Sequence, residues 1–555
     1  MNESLKPTTD LAPDYYLHSF RFMLDWVLQG YADLLNEQEN RFIQAFNQLD
    51  HDAQCLLVRL SGRKGPLFRQ DKLNYPEIAS IELSAQQLVK ADVLTTERPI
   101  DLNTLTNALT KPELLQLLGK QLAGLKQARK EILMQALALE HSEPQTWQAW
   151  TGNQFGKAWH LDNQSIISTL LLLFFGNAYQ DLTEFVLQDL GLFRYENYTI
   201  DSQHRLFKSR EELEQYQHLV QLRAELEMDS TIPTLIKIAD QLPLQCTTER
   251  LQRRRAKLCN QIAYALERAN EHSAAMQLYA QSHLPPARER RIRLLEKQER
   301  YSEAWELVNT LLSNPLDEQE MQVALRMAPR LAKKSDLAFQ KQLAVSISTQ
   351  RVQLHQLTDD QGNAFRVEEI VRQSLDRPNA PCVYAENLLL NGLFGLWLWP
   401  EMFRGIEGAF ANPFQAAPLD MYQENFVANR PGIEKLWALL ENDEYHHVIR
   451  KTWHDKQGIA NHFVHWNFLN NDLLNIALHT IPAQHLKLIF ERILFDIKNN
   501  RSGFPDLIHF FPEEKAYRLI EVKGPGDRIQ DNQQRWLEYF AKRQIPAEVY
   551  YVSWQ

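Results

Sequence analysis

The stretch 505–523 constrains this chain more than any other. Pro505-Asp506 opens the apolar run Leu507-Ile508-His509-Phe510-Phe511. Residues 512–515 have turn composition, and a second run over 517–523 ends Ile520-Glu521-Val522-Lys523-Gly524. Two runs joined this tightly predict an antiparallel β-hairpin. Side chains alternate along a strand, so Glu521 and Lys523 share one face while Val522 points to the other. Asp506 stands at the mouth of the neighbouring strand, where it can converge with Glu521. Gly524-Pro525-Gly526 stops the second strand and leaves its end open. Residues 547–554, β-branched and aromatic, predict one more strand.

The rest of the chain must be several domains, because 555 residues exceed what one hydrophobic core supports. Cys55, Cys246, Cys259 and Cys382 are scattered and form no Cys-x-x-Cys. That composition supports neither a zinc site nor a disulfide framework, and it fits a reducing, intracellular setting (cytoplasm, nucleoid or nucleus). The polar start, Met-Asn-Glu-Ser-Leu-Lys-Pro, lacks the apolar core of a secretory signal. The most apolar stretch, 388–399, is twelve residues long and contains Asn391. It is too short for a bilayer and reads as a buried helix, so no membrane partner is expected.

The net charge of −10 argues mildly against a polyanion partner, but counterion release needs local cations rather than a basic total. Between Arg250 and Arg300 there are twelve Lys/Arg against five Glu, a local +7. Such segregation fits one face meeting nucleic acid; for Arg253, Arg254 and Arg255 alone, a solvated helix face fits equally well.

Helical patterning dominates the first third, with Phe20, Met23, Leu24, Val27 and Leu28 at helical spacing. Arg59 and then Gly62-Arg63-Lys64-Gly65-Pro66, Arg69 and Lys72 display basic groups around a turn, either in a small DNA-binding helical domain or on a plain loop. Over 102–122 a compact helix-loop-helix is predicted, with Thr110 as N-cap and Glu113 closing a capping box. Leu266-Glu267, Ser273, Ala275 and Leu278 recur as Leu295-Glu296, Ser302, Ala304 and Leu307 at a spacing of 29. This is a short, irregular helical repeat, tighter than the roughly 34 residues of tetratricopeptide repeats. After about residue 370, Pro and Trp become frequent and the strands appear. The predicted organisation is 1–90 an N-terminal helical DNA-binding region, 91–245 a second helical region, 246–370 helical repeats, and 371–555 an α/β domain.

The hairpin's residue types suit hard-metal chemistry. Mg²⁺ takes oxygen ligands, commonly one or two carboxylates with waters and substrate phosphate. Asp506, Glu521 and the main-chain carbonyl of Val522 can supply three oxygens, and Lys523 can stabilise charge building on a phosphate. A surface ion pair on a hairpin explains Glu521 and Lys523 as well. Arg528 follows the strand within reach of a phosphate. On the next helix Gln533 and Trp536 face the same way; Gln533 either steadies Lys523 or a catalytic water, or is an exposed helix residue.

Phe504-Pro505-Asp506-Leu507, Ile520-Glu521-Val522-Lys523-Gly524-Pro525 and Gln533-x-x-Trp536 together resemble the VRR-NUC branch of the PD-(D/E)xK (restriction-endonuclease-like) nucleases. That family also carries an acid on an earlier helix. Glu386, in Tyr384-Ala385-Glu386-Asn387 before the apolar stretch, matches the position; by itself it reads as a carboxylate complementing a helix dipole. Residues 57–60 and 72–75, Gly392-Leu393-Phe394-Gly395-Leu396-Trp397-Leu398-Trp399, and Phe414-Gln415-Ala416-Ala417-Pro418-Leu419-Asp420 are similar to the Fanconi-associated nuclease family.

The resemblance covers the chain end to end. It implies a mostly α-helical N-terminal two-thirds, a SAP-type domain at 91–245, tetratricopeptide-like repeats and a C-terminal α/β nuclease domain. It implies a Mg²⁺- or Mn²⁺-dependent deoxyribonuclease of phosphodiesterase I type, a 5′ flap endonuclease and 5′-to-3′ exonuclease of interstrand crosslink repair. The implied catalytic set is Glu386, Asp506, Glu521, Lys523 and Gln533, with metal held by Glu386, Asp506, Glu521 and Val522. Branched or flapped duplex DNA would lie on Arg59, Arg63, Lys64, Arg69, Lys72, Arg253, Arg254, Lys498, Arg501 and Arg528, of which Lys498, Arg501 and Arg528 could form a 5′-phosphate pocket. No Cys/His cluster suits the ubiquitin-binding zinc finger of some relatives, so recruitment by ubiquitin is not implied. Residues alone reach only a metal-dependent nuclease. A non-catalytic DNA-binding scaffold, or a nuclease directed at junctions or RNA, stays open; the long helical part favours a monomer over the symmetric pairing of junction resolvases.

Overall fold

The computed structural model describes residues 12–63, 65–122, 124–138, 141, 143–152, 154–181, 194–339, 345–358 and 361–555; Lys64, one of the expected DNA contacts, lies outside them. The chain divides into two units, Met1–Phe193 with Asp201–Leu206, and Arg194–Ile200 with Phe207–Gln555.

The first unit opens with helices Tyr15–Tyr31, Glu37–Gln48, His51–Ser61 and Ile81–Lys90. Their starts are written in the sequence. Asn36 and Glu39 form a capping box, and Asp50 accepts the Ala53 N–H at 2.8 Å. Phe20, Val27, Phe46 and Leu57 are fully buried between them.

A three-stranded antiparallel sheet, unforeseen from the sequence, interrupts this helical unit. It comprises β1 (Leu67–Arg69), β2 (Leu94–Thr95) and β3 (Ala158–Leu161), in the order β1-β3-β2. Strands of two to four residues carry too few alternations for a period of two to register. The helix-loop-helix forms as expected over Leu102–Ala108 and Lys111–Leu118. Its capping box has Thr110 N–H donating to Glu113 Oε2 at 2.7 Å. With Lys130–Ala138 and Trp147–Thr151 it closes a small core of Leu105, Leu114, Leu133 and Trp147.

In the second unit the repeat is a run of short helices, Glu249–Arg268, His272–Ala280, Ala287–Lys297, Tyr301–Ser313 and Glu318–Lys334, each packed on the next. The matched small residues Ala275 and Ala304 are fully buried, as crossing points of helix pairs require.

The C-terminal sheet comprises β4 (Ser348–Leu354), β5 (Cys382–Tyr384), β6 (Leu507–Phe511), β7 (Ala516–Lys523) and β8 (Ala547–Trp554), in the order β4-β8-β7-β6-β5. Strand β6 runs antiparallel to β5 and β7, and β8 runs parallel to β7 and β4. The hairpin register pairs Leu507 with Ile520; carried one step further, it sets Asp506 opposite Glu521. Strand alternation sorts the two faces. Leu507, Ile520 and Val522 pack with Val371 of helix Val367–Leu375. Ile508 and Leu519 pack with Trp536 and Phe540 of helix Asp531–Arg543.

Between β5 and β6 a helical insertion begins with the expected buried helix, Leu389–Met402. A Cβ on its Gly395 would lie 2.7 Å from Phe463 Cβ, so only glycine lets the two segments approach.

Candidate active site

The hairpin brings Asp506, Glu521 and Lys523 together at the open end of β7. Asp506 is 8% exposed and its Oδ2 accepts the Val522 N–H at 2.9 Å. Glu521 has no exposed surface. Its Oε1 forms an ion pair with Lys523 Nζ at 2.7 Å, and neither carboxylate oxygen has any further partner. Lys523 Nζ donates to Gln533 Oε1 at 3.1 Å, and the same oxygen accepts the Gln530 N–H at 3.0 Å. Gln533 thus caps its own helix and steers the lysine at once, in place of the solvent-exposed alternative.

Burial pushes both carboxyls up from their ordinary pKa. For Glu521 the charge of Asp506 adds to the rise and the Lys523 contact opposes it. For Asp506 the Val522 N–H opposes the rise, and the charge of Glu368 raises it more than that of Glu386 does. Leaving buried polar oxygens unpaired costs about 1–3 kcal/mol each, and more for charged ones. Such a pair of acids weakens the fold, so its value lies in what it can bind. A hard divalent cation suits the donor set: the Asp506 and Glu521 carboxylates, the unpartnered Oε2 of Glu521 among their oxygens, with the Val522 carbonyl as a further oxygen.

Glu386 is placed differently from the expectation. It lies not on a helix but in the turn between β5 and helix Leu389–Met402, with a positive φ of 32°, strained for a residue with a Cβ. The turn is pinned to the site by its backbone, since Ala385 N–H and Glu386 N–H both donate to the Asp506 carbonyl, at 2.9 and 3.0 Å. The carboxylate itself accepts Tyr384 Oη–H at 2.7 Å and Asn387 Nδ2–H at 2.9 Å. Accordingly, among the described residues no three Asp, Glu, His or Cys side chains are drawn tightly enough together to hold an ion by themselves. Asp506 and Glu521 converge, and Glu386 stands beside them on its own partners.

Two residues escaped the sequence reading. Glu368 sits in the first turn of helix Val367–Leu375, the helix that precedes β5. It is an acid on an earlier helix whose charge bears on Asp506. Asn387 joins Glu386 to the loop entering β6, its Oδ1 accepting Gly503 N–H at 2.9 Å and Phe504 N–H at 3.3 Å. At Gly503, with φ 92°, a Cβ would lie 2.8 Å from the Asn532 backbone, so the loop and the helix of Gln533 touch through glycine.

The expected DNA contacts divide sharply. In the second unit a cavity of about 530 Å³ is lined by four cations, Arg253, Lys257, Lys498 and Arg501, with Tyr422 and Glu424 on its wall. Burial, then the charges of Arg253, Arg254 and Lys498, push the Lys257 ammonium below its ordinary pKa. Arg501 Nη1 donates to Tyr422 Oη at 2.8 Å. Arg528 is on an exposed loop after β7 and does not line the cavity. Arg254 lies over the Tyr216 ring, 4.0 Å from its centroid, and packs rather than lines the cavity.

In the first unit the expectation is corrected for Arg69, and Arg59 is held by an internal partner. Arg69 is 4% exposed and forks onto Asp71 and Glu113, at 2.6 and 2.8 Å. Arg59 pairs with Glu77 at 2.6 Å and lies over Tyr16, 3.9 Å from the ring centroid. Arg69 is an internal brace, whereas the Arg59 side chain stays about a third exposed. Lys72 is half-exposed beside Asp71 and Glu113, and exposed Arg63 donates to Tyr75 Oη at 2.9 Å.

Residues 440–554 match the family model of the VRR-NUC domain, residues 14–95 that of the FAN1 HTH domain, and residues 99–150 that of the Fanconi anemia-associated nuclease SAP domain. The chain is 38% identical to a Fanconi-associated nuclease 1 homolog of Pseudomonas aeruginosa, over 98% of this chain and 96% of that protein. It is 24% identical to Fanconi-associated nuclease 1 of Homo sapiens, over 97% of this chain and 62% of the longer human protein. A crystal structure of paFAN1 bound to DNA with a 2-nucleotide 5′ flap and a gap superposes with a TM-score of 0.85 at 38% identity, covering 99% of each chain; its counterpart on a 1-nucleotide flap gives 0.83. With a strand hairpin that gathers buried acids beside a lysine, and a relative matched at this identity along nearly its whole length, the chain belongs to the Fanconi-associated nuclease family.

Proposed function

We propose that this chain is a divalent-metal-dependent nuclease that cuts duplex DNA bearing a 5′ flap and trims it 5′ to 3′ in interstrand crosslink repair. Mg²⁺ or Mn²⁺ would be held by Asp506, Glu521, the Val522 carbonyl and Glu386, with Glu368 as a further acid. The observation that carries this reading is the fully buried Glu521, whose carboxylate has no partner but the Lys523 ammonium and stands opposite Asp506. Family membership and the flap DNA bound to paFAN1 support the substrate.

Each side chain has a task that follows from its position. A cation bound there supplies Lewis-acid polarisation of a phosphate oxygen and acidification of a water. Asp506, fixed through one oxygen by the Val522 N–H, keeps its other oxygen available to a cation. Lys523, aimed by Gln533, lends positive charge where the pentacovalent phosphate becomes more negative. The turn of Glu386, bonded through its N–H to Asp506, keeps the acids in register.

The cavity of Arg253, Lys257, Lys498 and Arg501 would receive the 5′ phosphate of the DNA end. It lies in the same unit as the hairpin, and the Asn391 amide, donating to the Arg501 carbonyl at 2.7 Å and to the Asn387 carbonyl at 2.7 Å, ties the two places together. The helical repeats supply one wall of it, and the first unit would carry the remaining duplex contacts.

End-labelled flap, nicked, single-stranded and four-way-junction DNA, each with and without Mn²⁺, tests the reading. Metal-dependent cleavage of the flap ahead of the others is expected. Metal-independent cleavage, or preference for the junction, would overturn it.

A further inference from the structure

The cation-lined cavity contains an acid that its chemistry does not call for. Three acids reach it: Asp317, Asp496 and Glu424. Two are occupied by backbone. Asp317 accepts the Glu320 N–H at 2.7 Å as a helix cap, and Asp496 accepts the Asn499 N–H at 3.1 Å and the Glu318 N–H at 3.0 Å. Glu424 has a different occupation: its carboxylate pairs with Arg253, one of the four cations.

The segment presenting Glu424 is braced on both sides. Arg430 has no exposed surface and grips both oxygens of Asp420, at 2.7 and 2.9 Å, as well as the Phe426 carbonyl at 3.0 Å. Asn425 Nδ2 donates to Glu249 Oε2 at 3.1 Å, tying the segment to the helix that carries Arg253 and Lys257. Neither brace uses Glu424. The loop is therefore shaped independently of the ion pair, and it delivers a carboxylate to the place where a phosphate oxygen would sit.

We propose that Glu424 is an internal competitor for the terminal phosphate, occupying Arg253 until the DNA end displaces it and so weakening the pocket's hold. The inference rests on the reading of this cavity as the 5′-phosphate site. A guanidinium bonds a carboxylate and a phosphate through the same planar fork, so the two exclude one another on Arg253. A terminal phosphomonoester carries close to two negative charges at neutral pH and wins the exchange, but it must first break the internal pair. An end without phosphate leaves that pair intact. The device lowers affinity for phosphate ends selectively and speeds their release.

The test measures dissociation constants of the full-length protein in EDTA for the same flap duplex ending in 5′-phosphate or 5′-hydroxyl. Wild type is expected to prefer the phosphate. Glu424→Gln is expected to raise that preference about fivefold, the factor corresponding to loss of a partly exposed ion pair. In an Arg253→Gln background the same substitution is expected to leave the preference unchanged. A phosphate preference in wild type that Glu424→Gln does not raise, or lowers, overturns the competitor and leaves the pocket reading standing. No phosphate preference in wild type removes the pocket reading, and the competitor with it. An equal gain in the Arg253→Gln background shows plain charge repulsion and also overturns the proposal.

Discussion

Gln533 Oε1 stands 3.1 Å from Lys523 Nζ while accepting the N–H that starts its own helix. One amide oxygen thereby couples the position of the ammonium to the seat of helix Asp531–Arg543. Replacing Gln533 with Ala leaves the lysine held by Glu521 alone and free to swing about that contact. The single-turnover cleavage rate on a labelled flap is expected to fall roughly 10- to 100-fold, the usual cost of misplacing one group in a charged site. DNA affinity measured in EDTA is expected to change less than about twofold. A loss of affinity equal to the loss of rate would assign Gln533 to DNA binding instead.

The buried acids make a prediction about stability. Both Asp506 and Glu521 have carboxyl pKa values raised in the folded state by burial. A raised acid binds its proton more tightly folded than unfolded, so stability is intact below the ordinary carboxylate pKa of about 4 and is lost as pH climbs through the raised value. Glu521→Gln is therefore expected to stabilise the metal-free protein by on the order of 1–3 kcal/mol at pH 8 and by little at pH 4. Thermal unfolding at the two pH values checks it. Saturating Mn²⁺ is expected to raise the melting temperature of wild type and not of the variant. A variant less stable than wild type at pH 8 would make Glu521 a structural ion-pair partner of Lys523.

Glu368 should matter to catalysis although no motif names it. Its charge weighs on Asp506 more than that of Glu386 does. Glu368→Gln is expected to lower the Mn²⁺-dependent cleavage rate at least about tenfold and to raise the Mn²⁺ concentration needed for half-maximal rate. An unchanged metal titration would place this acid outside the site.

How far these residues could be read in advance follows from how local each one is. The hairpin was legible because its strands, turn and Glu-x-Lys spacing lie within twenty residues, and its register then follows from alternation. The capping box at Thr110 and Glu113 was legible for the same reason. Glu368, Asn387 and Glu424 were not, because each acquires its role from a partner brought in by the tertiary fold. The first sheet was missed because β3 joins β1 and β2 from far along the chain. Basic residues misled most: an arginine count cannot separate Arg69, buried between two acids, from Lys498 on the wall of an open cavity.

Arg69 supplies the matching test. As a brace, its removal leaves Asp71 and Glu113 with only the half-exposed Lys72 between them. Arg69→Ala is expected to destabilise the first unit by roughly 3 kcal/mol, the cost of breaking a buried pair from one side. Urea unfolding monitored through Trp147, which packs near the guanidinium, reads this. Weaker DNA binding with unaltered unfolding would make Arg69 a phosphate contact after all.

The central claim is that Asp506 and Glu521 hold the cation that hydrolyses the flap. The most direct measurement compares wild type with Asp506→Ala on end-labelled 5′ flap DNA in Mn²⁺, with binding measured in parallel in EDTA. The account predicts cleavage reduced at least about a thousandfold and an affinity within about twofold of wild type. Cleavage by purified Asp506→Ala at the wild-type rate would contradict it.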